Sequence, residues 1–138
     1  MAIPNTGGGF QVGDGNLNEA KFGVQSTPAT IPAGATATIT AAQLATGLIV
    51  ASPGATGSTY TLPTVALWEA LVVNAHTDTA FDFAVINLDG NTSGIITLAV
   101  GTGWTLVGLT TLAATAGIAG IWRARKTGTG AWTAYRLA

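Results

Sequence analysis

The sequence predicts a mainly β domain, a sandwich or a barrel, with one short helix and an extended N-terminal arm. Short β-type runs recur at intervals of about 8–12 residues after residue 36, which is the strand spacing of such folds. Residues 63–73 are the one stretch with the apolar spacing of a convincing helix. The first 35 residues are instead rich in glycine and proline. We therefore divide the chain into an arm, residues 1–35, and a β module, residues 36–138.

The arm has few apolar residues and no regular spacing between them. It contains three consecutive glycines, Gly7–Gly9, and buries too little surface to offset its own ordering entropy. Two interpretations stay open: a disordered tail, and an extended arm that becomes ordered against a partner. In the second interpretation, the partner-binding side chains are four isolated apolar anchors: Phe10, Val12, Leu17 and Phe22.

The first half of the module contains short elements separated by turn residues. In order, they are a strand at Thr36–Thr40, a helical turn at Ala41–Leu44 that Gly47 stops, a strand at Leu48–Ala51 and an extended stretch at Thr59–Leu62. Pro63 suits the first turn of the following helix, because its missing N–H would be unpaired there. Leu67, Ala70 and Leu71 fall on one face of that helix, with Trp68 and Glu69 beside it.

The stretch Phe81–Gly108 has the pattern of a hairpin. Phe81, Phe83 and Val85 alternate on one face, and a polar break at residues 89–94 leads into a second β-rich run at residues 95–100. Two short strands are expected next, at residues 104–107 and 109–112. The last two strands, Gly117–Lys126 and Ala131–Leu137, are predicted to flank a turn at residues 127–130.

Charge is scarce and unevenly placed. The 138-residue chain is 8% charged, against about 25% for ordinary soluble domains, so we expect its weakly charged surface to be covered partly by sister subunits or a larger partner. All six acidic residues precede residue 90, and four of the five cations follow residue 120. A nucleic-acid binder would carry a larger basic excess. We therefore assign these cations to a solvated face or to subunit or partner contacts: Arg123, Arg125, Lys126 and Arg136.

The sequence contains no arrangement typical of catalysis. Without cysteine it has neither disulfides nor thiolate ligands, and it lacks a nucleophile elbow, a Walker loop and a complete dinucleotide fingerprint. His76 and Asp78, with Asp82 nearby, are the one candidate metal or acid–base cluster, but no second cluster adds ligands, so we interpret them as part of a solvated loop. We predict a protein that is not an enzyme and has no cofactor or metal.

Three further features bear on location and packing. Residues 90–122 are uncharged and precede a basic flank, as in a membrane span, yet their glycines and threonines favour strands and turns. The N-terminus lacks the regions of a secretory signal, so we expect synthesis and release in the cytoplasm. Trp68, Trp104, Trp122 and Trp132 could form a sugar-stacking platform, but their spread over a helix and three strands favours packing in the core and in subunit interfaces.

From about Ile31 onward the order of motifs resembles that of structural proteins of tailed bacteriophages. The resemblance rests on ITAAQLATGLIVASPGATGSTYTLPTVALWEAL, FAVINLDGNTSGIITLAVGTGWTLVG, GIWRARKTG and AWTAYRL, which cover about the last three-quarters of the chain. Within them, Gly-Leu-Ile-Val, Leu-Pro-Thr, Ile-Asn and Gly-Thr-Gly-Trp-Thr-Leu are recognisable together, although each is weak alone. The sequence is similar to small capsid decoration (cement) or head-fibre proteins.

This resemblance implies a compact β-sandwich or jelly-roll-like module, commonly trimeric, that strengthens an icosahedral shell from outside. The implied partners are the major capsid protein and sister subunits, with neither nucleic acid nor membrane, and the implied location is the outer capsid surface of the virion. The family implies no catalytic residues. Two alternatives stay open: an exposed head fibre that binds a host or a glycan, and a tail or baseplate component. With the low charge and the dispersed tryptophans, the resemblance leads us to expect a homotrimer.

Overall fold

The computed structural model describes residues 24–32, 36–89 and 93–138. These residues form ten strands and two helices, arranged in two sheets. The mainly β, sandwich-like architecture predicted from the sequence is therefore confirmed. In chain order the elements are β1 (Ala29–Ile31), β2 (Ala37–Thr38), α1 (Ala41–Ala45), β3 (Leu48–Ala51), β4 (Ser58–Thr61), α2 (Val65–Leu71), β5 (Ala80–Asn87), β6 (Ile96–Ala99), β7 (Trp104–Val107), β8 (Thr111–Leu112), β9 (Ala119–Gly128) and β10 (Ala131–Arg136).

The first six strands alternate between the two sheets. The six-stranded sheet has the order β1-β3-β5-β9-β10-β7, and the four-stranded sheet has the order β2-β4-β6-β8. Strands β1, β3 and β5 are parallel in the first sheet, while β2, β4 and β6 are parallel in the second. Two strands that follow each other along the chain, one in each sheet, form an arch across the core: β1–β2, β3–β4 and β5–β6. The helices α1 and α2 connect one arch to the next. We call this part, residues 29–99, the parallel coil.

The closing strands β7–β10 complete both sheets by different pairings. Strand β9 lies antiparallel between β5 and β10, so it joins the parallel coil to the C-terminal hairpin. Strand β7 is parallel to β10 at the far edge, and β8 is antiparallel to β6 in the smaller sheet. The predicted strands on either side of residues 127–130 are confirmed as the β9–β10 hairpin.

The predicted hairpin within Phe81–Gly108 is wrong, because β5 and β6 belong to different sheets. Both strands bury alternate side chains, so their patterns fit facing strands as well as neighbouring ones. The buried side chain of Asn87 directs the crossing. Its Nδ2 donates to the carbonyl oxygens of Gly94 at 2.7 Å and Ala113 at 2.9 Å, and its Oδ1 accepts from the Asp89 N–H at 2.9 Å.

The two helices begin at threonine caps. Thr40 and Gln43 form a capping box on α1, which is followed by Gly47 at φ +71°, as expected for a helical turn that glycine stops. The fold-class prediction named one helix, and the structure has this second, five-residue one. The Thr64 hydroxyl caps α2, so Pro63 precedes the cap and does not lie in the first turn. Helix α2 buries Val65 and Trp68, while the predicted Leu67–Leu71 face points outward.

The core contains all four tryptophans, none of them more than 6% exposed. Three of these rings form one cluster with Phe81, and Trp122 stacks on Phe83 with centroids 5.6 Å apart. Packing in the core is therefore confirmed. The argument that some tryptophans need cover from other subunits is wrong, because a single chain buries them all. The homotrimer stays a prediction, supported by the low charge content.

Ordered pairing begins inside the range that the sequence assigned to the arm. Strand β1 pairs with β3, and Ile31 is only 3% exposed, so residues 29–31 belong to the sandwich and not to a free arm. The four predicted anchors of the arm lie outside the described residues: Phe10, Val12, Leu17 and Phe22.

Candidate interaction surface

The four predicted contact cations do not form one cluster. Along β9, Gly120, Trp122 and Ala124 point into the core, whereas Arg123 and Arg125 point outward. Lys126 follows Arg125 by one residue and therefore projects from the opposite face of the strand. Arg136 lies at the end of β10, over the core. The structure thus brings two of the four cations together and separates the other two.

The outward pair forms ion pairs with acidic residues of the β5 side. Arg123 donates from Nε to Asp82 Oδ1 at 2.7 Å and from Nη2 to Oδ2 at 2.8 Å, a bidentate geometry. This hydrogen bonding lowers the pKa of Asp82 and raises the pKa of Arg123. Arg125 pairs with Asp78 through one contact, from Nη2 to Oδ1. All four side chains are 45–65% exposed, so solvent screening leaves these pairs little weight in stability.

An aliphatic region continues from these ion pairs along the outer side of the same sheet. In register, Val50 lies opposite Ile86, and Ala84 lies between Leu48 and Ile121. Most of these side chains are half-buried, and Ile121 is 40% exposed. We call the combined surface the β5–β9 face, which comprises Leu48, Val50, Asp78, Asp82, Ala84, Ile86, Ile121, Arg123 and Arg125.

Lys126 instead holds helix α2 against the sheet. Its Nζ lies 2.8 Å from Glu69 Oε1 and donates to the carbonyl oxygen of Ala75 at 3.0 Å. Trp132 Nε1 donates to the same Glu69 oxygen at 3.1 Å. The pKa of Glu69 is lowered, chiefly by the hydrogen bond from Lys126. With side chains 13% and 24% exposed, this pair ties two elements together inside the subunit.

Arg136 covers one end of the core. Its guanidinium carbon lies 4.6 Å from the ring centroid of Trp122, a cation–π distance. The guanidinium also donates to the carbonyl oxygens of Ala138, Leu109 and Thr111. Burial lowers the pKa of Arg136. This cation is therefore engaged within the chain and is not part of the β5–β9 face.

A second surface lies at the C-terminal end of α2. Leu67, Leu71 and Val73 are 61%, 49% and 76% exposed, an unusual run of apolar side chains in contact with water. Beside them is an open groove of about 300 Å³, which we call the α2 groove; it is lined by Leu71, Val72, Val73, Asn74, Ala75 and Thr79. The sequence signal for this surface was the Leu67–Leu71 face of the helix.

The loop cluster considered as a metal site is divided among separate partners. His76 Nδ1 lies 2.9 Å from the carbonyl oxygen of Thr77, while Asp78 and Asp82 pair with different arginines. Within residues 24–32, 36–89 and 93–138, no group of three histidine or carboxylate side chains could hold a metal ion. Among the same residues, neither helix is long and apolar enough to cross a membrane.

Comparisons with protein-family models, with curated proteins and with solved structures found no match for this chain.

Proposed function

We propose that the chain is a non-enzymatic structural protein of a bacteriophage virion, a decoration (cement) protein that binds the outside of an icosahedral head. The observation that carries the proposal is the β5–β9 face. Its aliphatic residues lie beside arginines and aspartates that neutralise one another. A sheet face of this kind can be buried against another protein without leaving an unpaired charge in the contact.

The motif resemblance to phage decoration proteins supports the same proposal. Binding to the assembled shell, and not to its free subunits, would stabilise the shell by mass action. At a free concentration of 100 times Kd, that stabilisation is about 2.7 kcal/mol per site. A glycan-binding head fibre, the main alternative, could not use the tryptophans as a stacking platform, since all four lie in the core.

The test is co-sedimentation with purified, mature, empty phage heads that lack the protein. We expect saturable binding at a fixed copy number per head and a higher temperature of shell opening. Ile121→Asp should weaken this binding at least tenfold, about 1.4 kcal/mol. Leu109→Asp is the matched control, because Leu109 is 65% exposed and lies outside the β5–β9 face.

The charged part of the face has its own control. Arg123→Glu should weaken binding to the heads, and adding Asp82→Arg should restore the pair with its charges exchanged. Recovery in the double variant would mean that neutrality of the face matters more than the sign at each position. Binding to a glycan array without binding to heads would instead favour the fibre. Steeply salt-dependent binding to DNA would overturn the assignment of Arg123 and Arg125 to protein contacts.

The arm is the second contact in this proposal. Deleting residues 2–18 removes Phe10, Val12 and Leu17 and leaves the described sandwich intact. We expect an unchanged melting temperature and at least tenfold weaker binding to the heads, about 1.4 kcal/mol.

Light scattering after size exclusion tests the predicted homotrimer. A stable monomer near the 13.7 kDa chain mass would contradict it.

A further inference from the structure

We propose that the edge strand β7 pairs with β7 of a second copy of this chain, in an antiparallel contact centred on Leu106. A two-fold axis relates the two copies, and the six-stranded sheet continues from one subunit into the other. This inference goes beyond the capsid proposal, because it concerns the free protein and uses a surface outside the β5–β9 face.

The described part of the chain has four edge strands, and three of them are unsuited to pairing with another chain. Strand β1 has three residues and lies between Pro28 and Pro32, and β2 and β8 have two residues each. In β8, the carbonyl oxygen of Thr111 also accepts from Arg136. Short strands, prolines and covering groups are the devices by which natural proteins protect sheet edges.

Strand β7 has none of these protections. It is four residues long, and residues 100–110 contain neither proline nor a charged side chain. The side chains of Thr105 and Val107 are exposed, so water reaches this edge of the sheet. An exposed, uncharged edge is a template on which another strand can pair.

The ladder between β7 and β10 shows which backbone groups face outward. Trp132 lies opposite Trp104 and donates to the carbonyl oxygen of Gly103 at 3.0 Å. Alternate residues of a parallel strand bond to the neighbouring strand, so Thr105 bonds to β10 and Leu106 directs its N–H and C=O away from β10. Across residues 24–32, 36–89 and 93–138, no other strand or loop pairs with these two groups of Leu106.

A second copy of the same strand satisfies both groups at once. In an antiparallel pair, a residue that lies opposite its own copy across a two-fold axis exchanges both N–H···O bonds with it. A parallel ladder has no such symmetry, because each residue there bonds to two different residues of the neighbouring strand. Since β7 is uncharged, the contact also brings no like charges together.

The neighbours of Leu106 set the register. The Trp104 N–H already donates to the carbonyl oxygen of Gly101 at 3.2 Å. On the other side, Gly108 has φ +98° and lies beyond the end of the strand. Leu106 is therefore the residue that lies opposite its own copy, which places Thr105 opposite Val107 of the second copy.

The absence of cysteine from the chain permits a direct test of this register. Thr105→Cys and Val107→Cys each place one thiol on the exposed side of β7. Opposed residues of a non-hydrogen-bonded antiparallel pair lie about 4.5 Å apart by Cα, within disulfide reach, whereas diagonal neighbours lie about 7–8 Å apart. Under mild oxidation, an equimolar mixture of the two variants should form at least about fivefold more disulfide-linked dimer than either variant alone.

The molar mass measured by light scattering gives an independent readout. Thr105→Lys with Val107→Lys places like charges opposite each other and should abolish the association, whereas Thr105→Glu with Val107→Lys places opposite charges together and should preserve it. Thr77→Lys with Thr129→Lys is the matched control, because both residues are exposed and lie outside β7. The predicted homotrimer uses a different contact, so it should persist in the variant with lysine at both positions of β7.

Equal crosslinking in the mixture and in the single variants, or none in any of them, would overturn the proposal. Crosslinking of Thr105→Cys with itself would place the axis at another residue and would overturn the register centred on Leu106. Equal molar masses for the two double variants of β7 would also overturn the contact. Because no capsid is present, failure here is distinct from failure of the decoration proposal.

Discussion

The parallel coil and the β9–β10 hairpin belong to the same sandwich but are built from contacts of different range. In the coil, each strand pairs with a strand two strands away along the chain, so the pairing of one arch requires that the next arch has formed. In the hairpin, Gly128 already lies opposite Ala131, and pairing can begin from the turn. The difference means that the coil depends on a few residues that direct the crossings, whereas the hairpin depends on its local turn.

The largest expected effect comes from breaking a crossing of the coil. Asn87→Ala removes a buried amide and its hydrogen bonds with Gly94, Ala113 and Asp89, while the Ala113 carbonyl oxygen still accepts from the Thr115 N–H. A buried group that loses its partner costs about 1–3 kcal/mol and each further lost hydrogen bond about 1 kcal/mol, so we expect a loss of roughly 3 kcal/mol in the free energy of unfolding. Urea denaturation measures it. Asn74→Ala is the control, because Asn74 is exposed. A similar loss of stability in that variant would mean that Asn87 has no special role in directing the crossing.

The second effect compares a glycine at the end of the coil with one in the hairpin. A Cβ at Gly101 would contact the carbonyl oxygen of Leu62 and lie 2.7 Å from that of Pro63, whereas a Cβ at Gly128 would meet no atom within 4 Å. Neither glycine has left-handed backbone angles. We therefore expect Gly101→Ala to cost about 1–3 kcal/mol and Gly128→Ala less than about 0.5 kcal/mol. Equal melting temperatures for the two variants would contradict this account.

A smaller effect should follow from the ion pair that joins α2 to the hairpin. Glu69→Gln weakens charged hydrogen bonds to Lys126 and Trp132, and we expect a loss of about 1–2 kcal/mol at pH 7. The sign of its pH dependence is fixed by the lowered pKa of Glu69. Stability from this carboxylate is present above its ordinary pKa of 4.5 and is lost as the pH falls through the lower folded value.

The difference in unfolding free energy between wild type and Glu69→Gln should therefore shrink as the pH is lowered from about 6 to about 3. Urea denaturation across that range measures it. Asp82→Asn is the comparison, since Arg123 lowers the pKa of Asp82 in the same direction but in a more exposed pair. A gap that widens on acidification would show that Glu69 does not stabilise the fold as a carboxylate.

The smallest effect on folding is expected from the exposed Asp82–Arg123 pair. A double-mutant cycle with Asp82→Ala and Arg123→Ala should give nearly unchanged denaturation midpoints, because both side chains are about half exposed. A coupling as large as that of Glu69 with Lys126 would mean that the β5–β9 face supports the fold more than it supports a contact.

The same contrast between local and long-range contacts separates the features that could be predicted from the sequence from those that could not. The β9–β10 hairpin was predictable because its turn is local, with Gly130 at φ +65° two residues after β9 ends. The β5–β6 connection was not, because alternating burial fits both a hairpin and an arch. What decides between them is a contact from Asn87 to Ala113, which is 26 residues away.

The candidate surface was predictable in part. Arg123 and Arg125 were identified from the sequence, and the alternation of a strand could already have placed Lys126 on the other side of β9. Their acidic partners could not be assigned, since pairing with Asp82 and Asp78 depends on the register of β5 against β9. The α2 groove was missed because the helix buries Trp68 and turns Leu67 and Leu71 outward.

The tryptophan arrangement determines what optical spectroscopy can report. Trp68, Trp104 and Trp132 lie within 6.4 Å of one another by ring centroid, and Trp122 lies between Phe83 and Arg136. Their emission should be blue-shifted in the folded chain and should move to longer wavelength in a single transition on unfolding. A partner that binds the β5–β9 face touches none of these rings, so attachment will be silent in intrinsic fluorescence and needs an extrinsic label.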